Sequence, residues 1–176
     1  MKGAALFALP LLLLFAGFAC GDDEFDLGET IDELRSDSAI QENIAAFHAA
    51  NEQCVREERA GCLEGFIQGQ EQNLVACLDV YDEEGDLCLL NLELVAGEHG
   101  WKIPNRERKT PLLRSEEAAG WERDCVDAAG WSVCFARHTL YLEEAFNTCA
   151  ALWPDECEGV LADLMAGLRG ELAARE

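Results

Sequence analysis

The chain predicts an all-α fold of two tandem three-helix repeats, each stapled by two disulfides. Three observations lead there. Eight of the nine cysteines fall into two runs of four: Cys54, Cys62, Cys77 and Cys88 read C-x7-C-x14-C-x10-C, and Cys125, Cys134, Cys149 and Cys157 read C-x8-C-x14-C-x7-C. The apolar stripe Leu63, Ile67, Leu74, Cys77, Tyr81 steps by 4, 7, 3 and 4, the period of a buried helical face. Moved forward by 72 positions, it lands on Phe135, Thr139, Phe146, Cys149 and Trp153. Strand-type alternation occurs in neither half.

The first element is a leader over residues 1–19. Lys2 supplies the positive start, Ala4 to Phe18 is apolar apart from Pro10, and Gly17-Phe18-Ala19 puts small residues before the cut. The apolar run is about 15 residues, short of the roughly 20 that span a bilayer. Cys20 follows at once, then Gly21-Asp22-Asp23-Glu24. This junction resembles the cleavage region of bacterial lipoproteins, although Gly17 stands where that family usually has Leu. The resemblance covers the first two dozen residues. It implies that Cys20 becomes the N-terminus and carries the lipid, palmitate among its acyl chains. It also implies outer-membrane anchoring, because Gly21 and not Asp follows the cysteine. Plain secretion after cleavage at Ala19 is the alternative. Lipidation of Cys20 would remove the one thiol left over when eight cysteines pair.

Loss of the leader removes one Lys and no acid, taking the formal charge from −22 to −23. Such a surface repels nucleic acid and anionic headgroups and leaves cationic partners as the natural class.

Residues 20–37 read as an acidic tether: Gly21 to Leu34 holds seven acids and few large apolar residues, so charge repulsion favours an extended chain. A short helix starting near Thr30, at Thr30-x-x-Glu33, is the competing pattern. Repeat 1 occupies 38–97. Ser38-x-x-Gln41 opens its first helix, Ile40, Ile44, Phe47 and Cys54 trace one face, and Gly61 ends it. The Leu63–Tyr81 stripe is the second helix, broken by Asp82-Glu83-Glu84-Gly85; Cys88 to Ala96 is the third, closed by Gly97. Residues 98–114 form a basic linker. Repeat 2 occupies 115–176: Ser115 caps a helix stopped by Gly130, the Phe135–Trp153 stripe ends at Pro154, and Asp155 caps a last helix with Leu161, Leu164 and Leu168 on one face.

Helix geometry selects the cysteine pairing. Cys62 and Cys77 sit 15 residues apart on one helix, about 22 Å at 1.5 Å per residue, whereas a disulfide needs Cα atoms within about 7 Å. Bridges must therefore join successive helices at their tips: Cys54–Cys62, Cys77–Cys88, Cys125–Cys134 and Cys149–Cys157. Disulfides point to export. The cysteine spacing lacks the close pairs of a zinc site or a c-type haem, so neither metal nor cofactor is expected.

No catalytic motif nominates an enzyme. Asp79 to Asp86 fails the calcium-loop pattern, since Gly85 is seventh and Leu90 twelfth when counted from Asp79. His48, His99 and His138 are scattered. The linker is the informative stretch: from Trp101 to Arg114 it holds Lys102, Arg106, Arg108, Lys109 and Arg114 against one acid, Glu107. It reads either as a strip lying across the acidic faces of its own repeats, or as a docking strip for an acidic partner with Trp101 as anchor. The function expected is non-enzymatic binding or a structural role at the cell envelope, with the bilayer and another envelope protein as partners. A carrier of a small apolar ligand, held near Trp121, Trp131 and Trp153, is the rival.

Overall fold

The computed structural model describes residues 26–81 and 86–175. The leader, Cys20 and the start of the tether lie outside the described residues, as does the acidic stretch 82–85. Seven helices follow one another: α1 (Leu27–Ser36), α2 (Ser38–Arg56), α3 (Cys62–Tyr81), α4 (Leu87–His99), α5 (Glu116–Ala129), α6 (Trp131–Leu152) and α7 (Cys157–Ala173). Among the described residues there is no strand.

The extended tether expected over 20–37 is corrected from Leu27 onward. Leu27, Ile31 and Leu34 recur at helical spacing and are half-buried, while the acids between them face water. Asp26 caps this helix by accepting from the Glu29 N–H at 3.0 Å. An ion pair from Arg35 to Glu143 ties α1 to α6. High acid content was therefore outweighed by an apolar stripe with somewhere to pack.

Other boundaries move by one or a few residues. Asp37, not Ser38, caps α2, accepting from the N–H groups of Ala39 and Ile40. Helix α2 ends at Arg56, ahead of Gly61, whose φ of +85° instead serves the turn into α3. Helix α4 runs past Gly97 and stops at Gly100, which takes the left-handed conformation at φ 68°. Ser115 caps α5 through the Ala118 N–H, and Gly130 separates α5 from α6, both as expected. Glu156 stands at the cap of α7 without a side-chain cap bond, in place of Asp155.

Disulfides join Cys54 to Cys62, Cys77 to Cys88, Cys125 to Cys134 and Cys149 to Cys157, the four pairs that helix geometry selects. Each bridges the tips of successive helices, so α2–α3–α4 and α5–α6–α7 are two chains of stapled hairpins.

These triplets do not stand as separate bundles. Extensive contacts run between them, most of all α3 with α5 and then α2 with α6 and α4 with α7, while α1 packs on α6. One core results, filled by Leu74, Leu78, Leu92, Phe146, Leu161 and Leu168 from both triplets. The C-terminal part of the predicted stripe (Leu74, Cys77, Tyr81) is buried, but at the start of α3 Phe66 takes the buried position while Leu63 and Ile67 are half-covered. Polar ties cross the same seam: Asn91 donates to Thr139 at 3.0 Å, and His48 meets Thr148 at 2.5 Å.

The loops closed by the disulfides span 8 to 11 residues, each worth about 2–3 kcal/mol in the chain-entropy picture. A Cys149→Ala, Cys157→Ala double variant is expected to lose about that much in non-reducing guanidinium unfolding. An unchanged midpoint would show that the bridge adds nothing to the packed helices.

Candidate functional site

The linker lies across its own chain. Trp101 stacks on His99, with ring centroids 4.2 Å apart, and meets the core ring of Phe146 edge-on at 6.3 Å. The Lys102 N–H donates to Glu158 at 3.2 Å. Arg106 pairs with Asp163 at 2.7 Å, and Arg114 with Glu171 at 2.6 Å. Arg114 also reaches Asp79 at 3.4 Å, which pairs with Arg175 at 2.5 Å.

The centre of this strap is the most enclosed ion pair in the linker: Arg108 meets Glu71 at 2.6 Å, with side chains 19% and 9% exposed. The second Glu71 oxygen accepts from the Leu113 N–H at 2.9 Å, so both oxygens are satisfied. Next to it Leu112 is buried against Gly167, where an added Cβ would lie 2.5 Å from a Leu112 methyl carbon. The expected partner-binding set is thus divided. Trp101, Arg106 and Arg108 are engaged by the chain itself; Lys102 and Lys109 have exposed side chains. Acids of α3 and α7 compensate Arg106, Arg108 and Arg114 locally. Glu71 sits in the polar run Gln70-Glu71-Gln72-Asn73, so no local pattern marks it as the acid that receives the strip.

A second polar cluster joins α3, α5 and α6. Tyr81 donates to Glu122 Oε2, and His138 Nδ1 lies 3.3 Å from Glu122 Oε1. Burial works to raise the Glu122 carboxyl, but the hydrogen bond and charge of His138, the Tyr81 hydroxyl and the charge of Arg137 outweigh it and hold the group below the usual carboxylate range. Burial first, and then the bond to Glu122, push the Tyr81 hydroxyl well above its ordinary value. An ionised Glu122 needs a donor on Nδ1, which leaves His138 Nε2 enclosed without a partner. That nitrogen has no solvent contact, and the three side chains fasten α3, α5 and α6 to one another. The three residues lie at 81, 122 and 138, on three helices, and no local spacing pairs them.

An open groove of about 480 Å³ lies between α2, α3 and α5. Phe47 and Asn51 form one wall, Glu117 and Trp121 the other, and Gly65, Gly69 and Gln70 of α3 line its floor. The Cys54–Cys62 bridge closes one end. Trp121 is 65% exposed, the most exposed large hydrophobic side chain among the described residues. The other tryptophans of the expected ligand cluster are elsewhere: Trp153 packs on Phe66, and Trp131 stacks on Phe135 beside Tyr81 at the far end of α3. Among the described residues no group of three or more His, Cys, Asp or Glu is arranged to hold a metal, and no helix is long and apolar enough to cross a membrane. No protein-family model, curated protein or solved structure matches the chain.

Glu71→Gln is expected to cost about 2–3 kcal/mol, because it leaves the Arg108 guanidinium half-enclosed and unpaired. The same change should speed tryptic cutting between Arg106 and Lys109. In the parent, salt should accelerate that cutting; equal rates at all ionic strengths would count against a docked strap.

The depressed Glu122 carboxyl adds stability that is complete above the unfolded carboxyl value of about 4.3 and is lost as pH falls through the lower folded value. Urea unfolding at descending pH should show a steeper acid-side loss in the parent than in Glu122→Gln. Parallel curves would remove Glu122 from the acid response.

Proposed function

We propose that the mature chain is a lipid-anchored binding module of the bacterial envelope, tied to the outer membrane through Cys20 and engaging another protein by the groove beside Trp121. The leader and Cys20-Gly21 junction support the anchor. Four disulfides fit an oxidising, extracytoplasmic compartment. The observation that carries the binding reading is Trp121, a large aromatic left in water at the edge of a concave surface. On this reading the chain is a duplicated three-helix unit whose copies have interlocked, with the groove at their seam.

A carrier of small apolar ligands has weaker support. Phe66, Phe146 and Trp153 fill the space between the triplets, and the groove is open to water with Gln70, Asn51 and Glu117 along it. Apolar ligand sites are typically far more enclosed.

Two measurements test the proposal. Intact-mass analysis should find an acyl adduct on Cys20, and Cys20→Ser should move the protein from the membrane to the soluble fraction. A photo-cross-linking residue in place of Trp121 should give a discrete adduct in living cells, absent when the cross-linker replaces the solvent-exposed Asp127. A soluble parent protein defeats the anchor; no adduct at Trp121 defeats the groove.

A further inference from the structure

Resting on the reading of the groove as a protein-binding surface, we propose that its occupant is a cationic amphipathic helix of another protein, about three turns long, which lays an apolar ridge along α3 beside Trp121 and hydrogen-bonds Gln70. The floor runs from Gly61 to Asn73, about 18 Å at helical rise, which sets the length.

Gly61, Gly65 and Gly69 recur every fourth residue and all line the groove. A Cβ added at any of them would meet nothing within 4 Å, unlike Gly167, whose bare backbone is needed by Leu112. Glycines at these three positions lower the floor and let a second helix approach closely, with α2 and α5 as side walls.

Gln70 points independently to a ligand. It is 4% exposed and lines the groove, yet its amide makes no hydrogen bond with any described residue. The Gln70 amide atoms keep some contact with solvent, and the groove is the open space they line, so a polar group of a ligand there can replace water.

Charge decides the class of partner. Glu117 stands in the wall, and Glu64 is exposed at the start of α3. The nearby arginines are each paired with an acid: Arg56 with Glu52, Arg59 with Glu57, Arg123 with Glu116. A second copy of this chain would bring another net −23 and be repelled, as would nucleic acid or an anionic bilayer. A basic helix with one apolar face answers all three features.

The test uses the mature, disulfide-bonded chain and a fluorescein-labelled helical peptide of Lys and Leu, about 14 residues long, with Leu at positions i and i+4. Anisotropy should report saturable binding that weakens as salt rises, and no binding of the matching Glu and Leu peptide. Gly65→Leu fills the groove while improving helix propensity, so the fold should survive, as checked by circular dichroism and intact bridges. It should weaken binding at least tenfold, as should Trp121→Ala, with Gln70→Leu weakening it several-fold. Unaltered affinity in Gly65→Leu would place the peptide on the general acidic surface and overturn the proposal. Binding of the Glu and Leu peptide would do the same. Failure of the basic peptide, with the in-cell adduct at Trp121 still present, would overturn the cationic helix and leave the binding-module reading standing.

Discussion

Closure by sulfur of the connections within α2–α3–α4 and within α5–α6–α7 is the constraint on which the remaining structure depends. Cys54–Cys62 and Cys77–Cys88 hold together the adjoining tips of α2, α3 and α4, and Cys125–Cys134 and Cys149–Cys157 do the same for α5, α6 and α7. With the hairpins secured locally, less of the helical surface is needed to hold each hairpin shut. Helix α3 can then present its most extensive face to α5, and α6 can carry α1. A small domain with many acids and a modest core gains most from cross-links of this kind, because they remove freedom from the unfolded chain without requiring more apolar surface.

Self-repulsion is the opposing force. The mature surface carries about three acids for each basic residue, and the linker puts a large share of that positive charge where it does most good. Arg106, Arg108 and Arg114 reach acids on α3 and α7, so one strap neutralises both triplets and pins them together. The Arg108–Glu71 pair is enclosed enough that salt screens it poorly. The outer pairs, more exposed, are the ones that ionic strength can loosen. What the strap leaves uncompensated is the side of the molecule with α2, the start of α3 and α5, where the groove lies.

The groove and the Tyr81–Glu122–His138 cluster make different use of the same helices. At the far end of α3 the chain satisfies its polar groups internally, and Glu122 is held ionised by the donors around it. Near the start of α3 it leaves Gln70 without a partner and Trp121 in water. One end of α3 is finished as core; the other is finished as a surface suited to a partner. That asymmetry along one helix is the strongest functional signal in the structure.

Helix class, the positions of α2 to α7 and the four bridges were legible in the sequence, because each depends on neighbours in the chain: a period of 3.6, a capping Ser115, a Gly130 stop, and cysteines too far apart along one helix to meet. Where local signals misled, a long-range contact had intervened. The acids of 27–36 suggested a tether, but α6 supplied a surface for α1 to cover; Gly97 looked like a stop, but Trp101 lies beside Phe146, and the helix runs on to His99 with Gly100 as its cap. Only the tertiary structure decided which acids receive the basic strip, that Tyr81, Glu122 and His138 meet, and that Trp121 faces a groove while Trp153 is packed on Phe66. Periodicity tells a side chain which side of its own helix it occupies. It carries no information about which other helix will lie against that side, and charge pairing and exposure are settled by that choice.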